Sequence, residues 1–192
     1  MADSLEDKSV GIVLAPRGSE EVEFTEPKSA VEDAGGSVDV LGIETGEVET
    51  VNGDLDPAGS YEIEKSFDEV TVEDYDGLVV PGGTVGADTL RGDDTAVEFV
   101  QDFFETEKPL AVICHGPWTL VEADVVDGRE LTSYHSLETD IRNAGGNWVD
   151  EEVVVDEGLV TSRNPDDLEA FCDKVVEEIE EGEHEDRQTD DV

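Results

Sequence analysis

Cys114 and His115 stand side by side in "AVICHGPWTL" (111–120), where an apolar, partly β-branched run ends and Gly116-Pro117 opens a new segment. A thiol acts as a nucleophile only once ionised, and a helix N-terminus or a neighbouring imidazole favours the thiolate. Ile-Cys-His-Gly has the x-nucleophile-x-Gly form of the sharp strand-to-helix turn that exposes a nucleophile at the edge of a sheet. There the thiol pKa falls to about 3.5–7.5 and the sulfur stands in the open. The competing reading is a small buried hydrophobe, the fate of many free cysteines. Because adjacent side chains rarely point the same way, His115 is not assured of meeting the sulfur. Its backbone N–H, with those of Gly82-Gly83, is the safer contributor, as a donor to an oxyanion. Cys172 shares a helical stripe with Leu168, Phe171, Val175 and Ile179, so it reads as core. His135 and His184 are weaker candidates.

The elements around this pair alternate. "VGIVLAP", "SVDVLGI", "DGLVV", "LAVI" and "ELTSY" are strand-like, and a strand pair follows in "WVDEEVVVDEGLVTSR". Helical patterns lie between them in "EVEFTEPKSAVEDAGG", "DDTAVEFVQDFFETEKP", "GPWTLVEADVV", "SLETDIRNAGG" and "NPDDLEAFCDKVVEEIEE". Residues 44–70 carry Asn-Gly and Asp-Pro turn signals and read as small hairpins at the sheet margin. Strands that are apolar throughout, separated by helices, predict an α/β fold with a mostly parallel sheet sandwiched by helices. Ligands then bind beyond the carboxyl ends of the strands, where the loops after "DGLVV" and "LAVI" lie. The expected organisation is a flexible acidic N-terminus (1–9), one α/β domain (10–181) and a flexible acidic tail (182–192).

Fifty-three acidic residues against eleven basic ones give a net charge of -42. The ordered apolar patterns assign those acids to the surface of a folded protein, and so dense a surface suits concentrated salt. A halophilic cytoplasm is the expected setting. Nucleic acid and anionic membrane both require basic patches, which the chain lacks, and no apolar stretch approaches the length of a membrane span. Two distant cysteines and three scattered histidines have no metal-ligand spacing, so no metal is expected. "PGGTVGAD" matches neither a Walker loop nor G-x-G-x-x-G, so no cofactor is expected.

"PGG", "AVICHGP" and "TSRNP", with "GIVLAPRGSEEVEF" before them, resemble the PfpI/ThiJ superfamily of cysteine-dependent hydrolases, lyases and stress proteins. The resemblance covers nearly the whole domain and is nearest to the PfpI-type intracellular peptidase and deglycase branch. It implies a flavodoxin-like sheet with Cys114 as the nucleophile on its elbow and His115 beside it. It carries Glu20 to the carboxyl that hydrogen-bonds the sulfur, and Gly83 to the oxyanion hole. Asp88 becomes the acid that reaches the histidine from a neighbouring subunit, and Tyr134 a tyrosine near the pocket. His135 stands where relatives commonly carry proline. Three functions follow: glyoxalase or deglycase chemistry on reactive carbonyls, peptide hydrolysis in a homo-oligomer, and a non-enzymatic redox sensor or holdase.

The charge makes the first prediction. Concentrated salt, with a Debye length of about 3 Å at 1 M, screens the self-repulsion of the surface. The melting temperature is therefore expected to rise steeply from low to molar KCl, as followed by circular dichroism, and a flat profile would refute the halophilic reading.

Overall fold

The computed structural model describes residues 4–184. In chain order the elements are β1 (Ser9–Val13), α1 (Glu21–Asp33), β2 (Ser37–Gly42), β3 (Gly46–Asn52), β4 (Asp56–Ile63), β5 (Lys65–Ser66) and β6 (Gly77–Val80). There follow α2 (Thr84–Arg91), α3 (Asp94–Glu105), β7 (Leu110–Ile113), α4 (Pro117–Glu122), β8 (Glu130–Leu131) and α5 (Glu138–Asn143). β9 (Asn147–Trp148), β10 (Val153–Asp156), β11 (Leu159–Ser162) and α6 (Leu168–Glu181) complete the series.

Seven strands form one sheet in the order β10-β11-β7-β6-β1-β2-β5. All neighbours are parallel except β10 and β11, which pair antiparallel at one edge. This is the mostly parallel, helix-covered sheet that the alternating pattern predicts, in the flavodoxin-like form that the resemblance implies. Every residue of β6, β7 and β11 is buried, as strands covered on both faces require. The period of two sorts them between two cores. Leu78, Val80 and Val112 enter one with Leu90, Phe103, Phe104 and Leu120; Val79, Ala111 and Ile113 enter the other with Phe24, Val31, Phe171 and Val175. The first core lies under α2, α3 and α4, the second under α1 and α6.

Three local expectations change. The loop expected after "DGLVV" is short, because the glycine-rich "PGGTVGAD" enters α2 at Thr84. Its Gly86 sits where a Cβ would come 2.9 Å from the Gly18 carbonyl oxygen, so the glycine serves close packing rather than a flexible turn. "ELTSY" contributes only the two residues of β8, which pair with β9 in a separate small sheet. Residues 4–9, expected to be flexible, are docked: Leu5 is fully buried and donates its N–H to the Ala34 carbonyl (2.9 Å). At the other end the His184 N–H donates to the Glu107 carbonyl (2.9 Å), while the rest of the expected acidic tail, 185–192, lies outside the described residues. No helix among the described residues is long and apolar enough to cross a membrane.

Because Leu5 plugs the core under α1, Leu5→Ala is expected to cost about 2–3 kcal/mol, read as a fall of several degrees in melting temperature in molar KCl.

Candidate active site

β7 ends at Ile113, and the next residue departs from extended geometry: Cys114 has φ +63. A non-glycine residue there carries on the order of 1–3 kcal/mol of backbone strain and persists only where its surroundings over-determine it. They do so here. The Cys114 N–H donates to the Ser162 carbonyl (3.0 Å), its carbonyl accepts from Tyr134 N–H (2.8 Å), and Gly116 N–H closes back on Ile113 (2.9 Å). The kink also breaks the alternation along β7. Ile113 and Cys114, successive residues, both pack in the core under α1 and α6.

The turn brings the two side chains together, with Cys114 Sγ 3.2 Å from His115 Nδ1. The His115 ring stacks on Tyr134 (centroids 4.5 Å, 25° between planes) and meets the edge of Trp118 at 5.4 Å. Both residues are enclosed rather than open: Cys114 is 6% exposed and His115 4%. Burial lowers the His115 pKa; Asp54 raises it and His135 lowers it further. The ring is therefore a neutral base at neutral pH.

Beneath the sulfur lies a fully buried carboxyl, Glu23 of α1. Its Oε2 accepts the Gly82 N–H at 2.7 Å, while Oε1 is buried without a conventional hydrogen-bond partner, and the carboxyl couples to Cys114. Burial pushes the Glu23 pKa up to about 8, against the Gly82 amide and Cys114, which lower it. Burial, then the Glu23 charge, pushes the Cys114 thiol up, while the N–H groups of Gly83 and His115 pull it down. These groups act as one unit. A proton on Glu23 removes the charge that opposes ionisation and makes the carboxyl a donor to the sulfur. The thiolate is then held by an O–H and two amides. Gly83 must be glycine: its φ is +87, and a Cβ would lie 2.2 Å from the Gly18 carbonyl oxygen.

The profile of the DJ-1/PfpI family matches residues 8–178. The chain belongs to the DJ-1/PfpI family. It is 47% identical over 160 residues to protein/nucleic acid deglycase 2 of Escherichia coli (strain K12), covering 83% of this chain and 91% of that one. It is 43% identical over 160 residues to the putative cysteine protease YraA of Bacillus subtilis (strain 168), with the same 83% and 91% coverage. Among solved structures, Drosophila melanogaster DJ-1beta superposes with a TM-score of 0.80 at 30% identity, covering 93% of this chain and 91% of that one.

In this DJ-1/PfpI chain the fold gathers Cys114, His115, Gly83 and Tyr134 as their spacing and resemblance imply. Glu20 is different. Its carboxylate accepts from the N–H groups of Gly53 (2.7 Å) and Asp54 (3.1 Å) at the tip of the β3–β4 hairpin, and the carboxyl at the sulfur belongs to Glu23. Glu20 is the extended N-cap residue of α1, whereas Glu23 lies inside the helix on its buried face with Phe24, Pro27 and Val31. An acid on that apolar stripe was the signal available in the sequence. Asp88 is exposed on α2, and the carboxylate that acts electrostatically on His115 within this chain is Asp54. Asp54 and Thr84 were not legible from the sequence, since the hairpin that carries Asp54 meets α2 only in three dimensions. Elsewhere among the described residues, Glu178, Glu181 and His184 place possible ligand atoms within 4.8 Å of one another at the end of α6. Sequence spacing did not disclose this group, in which His184 Nε2 lies 3.0 Å from Glu178 Oε2.

Glu23 supplies a pH prediction. A carboxyl whose folded pKa is raised binds its proton more tightly in the native state, so it destabilises the fold progressively as pH rises from about 4.5 toward 8. Glu23→Gln removes that slope. Relative to wild type, the variant is expected to gain at least about 1 kcal/mol, or 2–4 °C in melting temperature, between pH 5 and 8. Parallel profiles would contradict a buried, proton-retaining Glu23.

Proposed function

We propose that this protein is a cysteine-dependent enzyme of glyoxalase or deglycase type, acting on small reactive carbonyls inside a salt-rich cell. The observation that carries the reading is the enclosure of Cys114, 6% exposed, between the buried carboxyl of Glu23, the imidazole of His115 and two amides. A two- or three-carbon aldehyde fits such a site more readily than a polypeptide. The relative named as a deglycase supports the same choice.

Cys114 passes its thiol proton to His115 Nδ1 as its sulfur adds to the aldehyde carbon: the C–S bond forms, the carbonyl π pair moves to oxygen, and that oxygen takes the proton of Glu23. The N–H groups of Gly83 and His115 stabilise the developing negative charge. For methylglyoxal, the regenerated Glu23 carboxylate then moves a proton from the former aldehyde carbon to its neighbour, while the hydroxyl proton of the adduct passes to the neighbouring carbonyl oxygen. The resulting thioester is cleaved by water to lactate and free thiol. One water is consumed and no net oxidation occurs. Glu23 takes the place at the sulfur that the resemblance had carried to Glu20.

Peptide hydrolysis is the second reading, supported by the relative named as a putative cysteine protease and by the exposure of Asp88 on α2. That acid would complete a Cys-His-acid set from a second copy in a homo-oligomer. The redox-sensor alternative has less support, since oxidation favours an accessible thiolate.

The test is lactate release from methylglyoxal in molar KCl. Cys114→Ser is expected to abolish turnover by at least about 1,000-fold and Glu23→Gln to reduce it by about 100-fold. Equal rates for wild type and Cys114→Ser would overturn the assignment.

A further inference from the structure

Asp54 reaches the site from outside the central sheet. It sits at the tip of the β3–β4 hairpin, where Gly53 (φ +60) and Asp54 (φ +65) are both left-handed. Glu20 clamps both residues through their N–H groups. The Asp54 carboxylate in turn grips Thr84 at two points: Oδ1 accepts the Thr84 N–H (2.6 Å) and Oδ2 accepts its hydroxyl (3.1 Å). The same Thr84 Oγ1 lies 3.3 Å from His115 Nε2.

Hydrogen counting along this line fixes a direction. A carboxylate can only accept, so the single hydroxyl hydrogen of Thr84 points to Asp54 and its oxygen offers a lone pair to Nε2. Nε2 must then carry the hydrogen of the neutral ring. Nδ1 is left with its lone pair facing the Cys114 sulfur at 3.2 Å.

We propose that Asp54, acting through the Thr84 hydroxyl, is a positioning residue that holds His115 as the Nε2–H tautomer and leaves Nδ1 free to take a proton from Cys114. Glu20 belongs to the same device one step further out, as the clamp that holds Asp54 in place. The inference deepens the proposed cysteine chemistry and rests on it for its catalytic consequence, but the tautomer itself does not depend on any substrate.

The other groups facing the ring are accounted for. Ser136 Oγ lies 3.5 Å from Nε2 and can also accept from it. Tyr134 stacks on one side with His135 beyond it, Trp118 presents an edge with Arg91 over its ring, and the Cys114–Glu23 pair lies on the Nδ1 side. None of these is an acceptor-only group that reaches Nε2 through a hydroxyl, as Asp54 does through Thr84. A carboxylate set one hydroxyl away orients the ring without the direct contact that would favour a permanent imidazolium.

The experiment is nitrogen NMR of histidine-labelled full-length protein in molar KCl. With three histidines in the chain, His115 is assigned by His135→Gln and His184→Gln. Wild type is expected to show a single Nε2–H tautomer at His115. Thr84→Val and Asp54→Asn are expected to populate the Nδ1–H form, while Thr84→Ser restores the wild-type spectrum. Asp54→Asn also moves the His115 titration midpoint to lower pH, because it removes a charge that favours the imidazolium. In turnover, Thr84→Val and Asp54→Asn are expected to lower kcat by about tenfold or more with KM nearly unchanged, and Thr84→Ser to stay near wild type.

A wild-type Nδ1–H ring, or a tautomer unmoved by both Thr84→Val and Asp54→Asn, overturns the proposal. If Thr84→Val fails to fold, Asp54→Asn reads the same link. Equal turnover by wild type and Cys114→Ser would sink the proposed reaction while leaving the tautomer result standing. An unmoved tautomer in an enzyme that depends on Cys114 would sink only this inference.

Discussion

The site depends on a single backbone angle. With an ordinary extended φ, Cys114 would continue the alternation of β7 and point away from the core that holds Ile113. At φ +63 it turns into that core, meets Glu23, and brings the His115 ring to its sulfur. The strain is borne by hydrogen bonds to β11, to Tyr134 and within the turn itself. The rest of the sheet serves as the rigid frame that makes one unfavourable conformation the only one available.

Electrostatics at the elbow follow from exclusion of water. A carboxyl and a thiol, both buried and in contact, cannot both ionise, so Glu23 keeps a proton at a pH where a solvated carboxyl would have lost it. Gly82 and Gly83 are part of this arrangement, because a Cβ on Gly82 would come within 2.8 Å of Cys114 Cβ, Glu23 Oε2 and the His115 nitrogen. The loop after β6 can approach the sulfur only as bare backbone, and that approach supplies the amides. On the Nδ1 side of His115 stands the sulfur, and on the Nε2 side the Thr84 hydroxyl anchored to Asp54. The chain carries a net charge of -42 overall, yet the buried acids at the site are few. Most of the other acids crowd a surface where salt can screen them, while Glu20 and Glu23 within are held by backbone N–H groups.

Local pattern was enough to establish much of this. Apolar runs alternating with helical stripes, set by the periods of two and 3.6, determined the parallel sheet, the order of its main strands and helices, and the loops at which a site would form. The Ile-Cys-His-Gly turn and the Pro-Gly-Gly loop determined which residues stand at those loops, since both depend on backbone conformations that few residue types allow. Contacts between elements were decided only by the tertiary structure. Glu20 and Glu23 are one helical turn apart, and which of them faces the sulfur depends on how α1 is rotated against the sheet. Asp54 reaches His115 only because a hairpin folds over the start of α2 and is held there by Glu20. In a chain where more than a quarter of the residues are acidic, composition could not single out these three carboxyls. Distance and burial could, because an acid acquires a distinct pKa or a fixed partner only where the fold removes it from water.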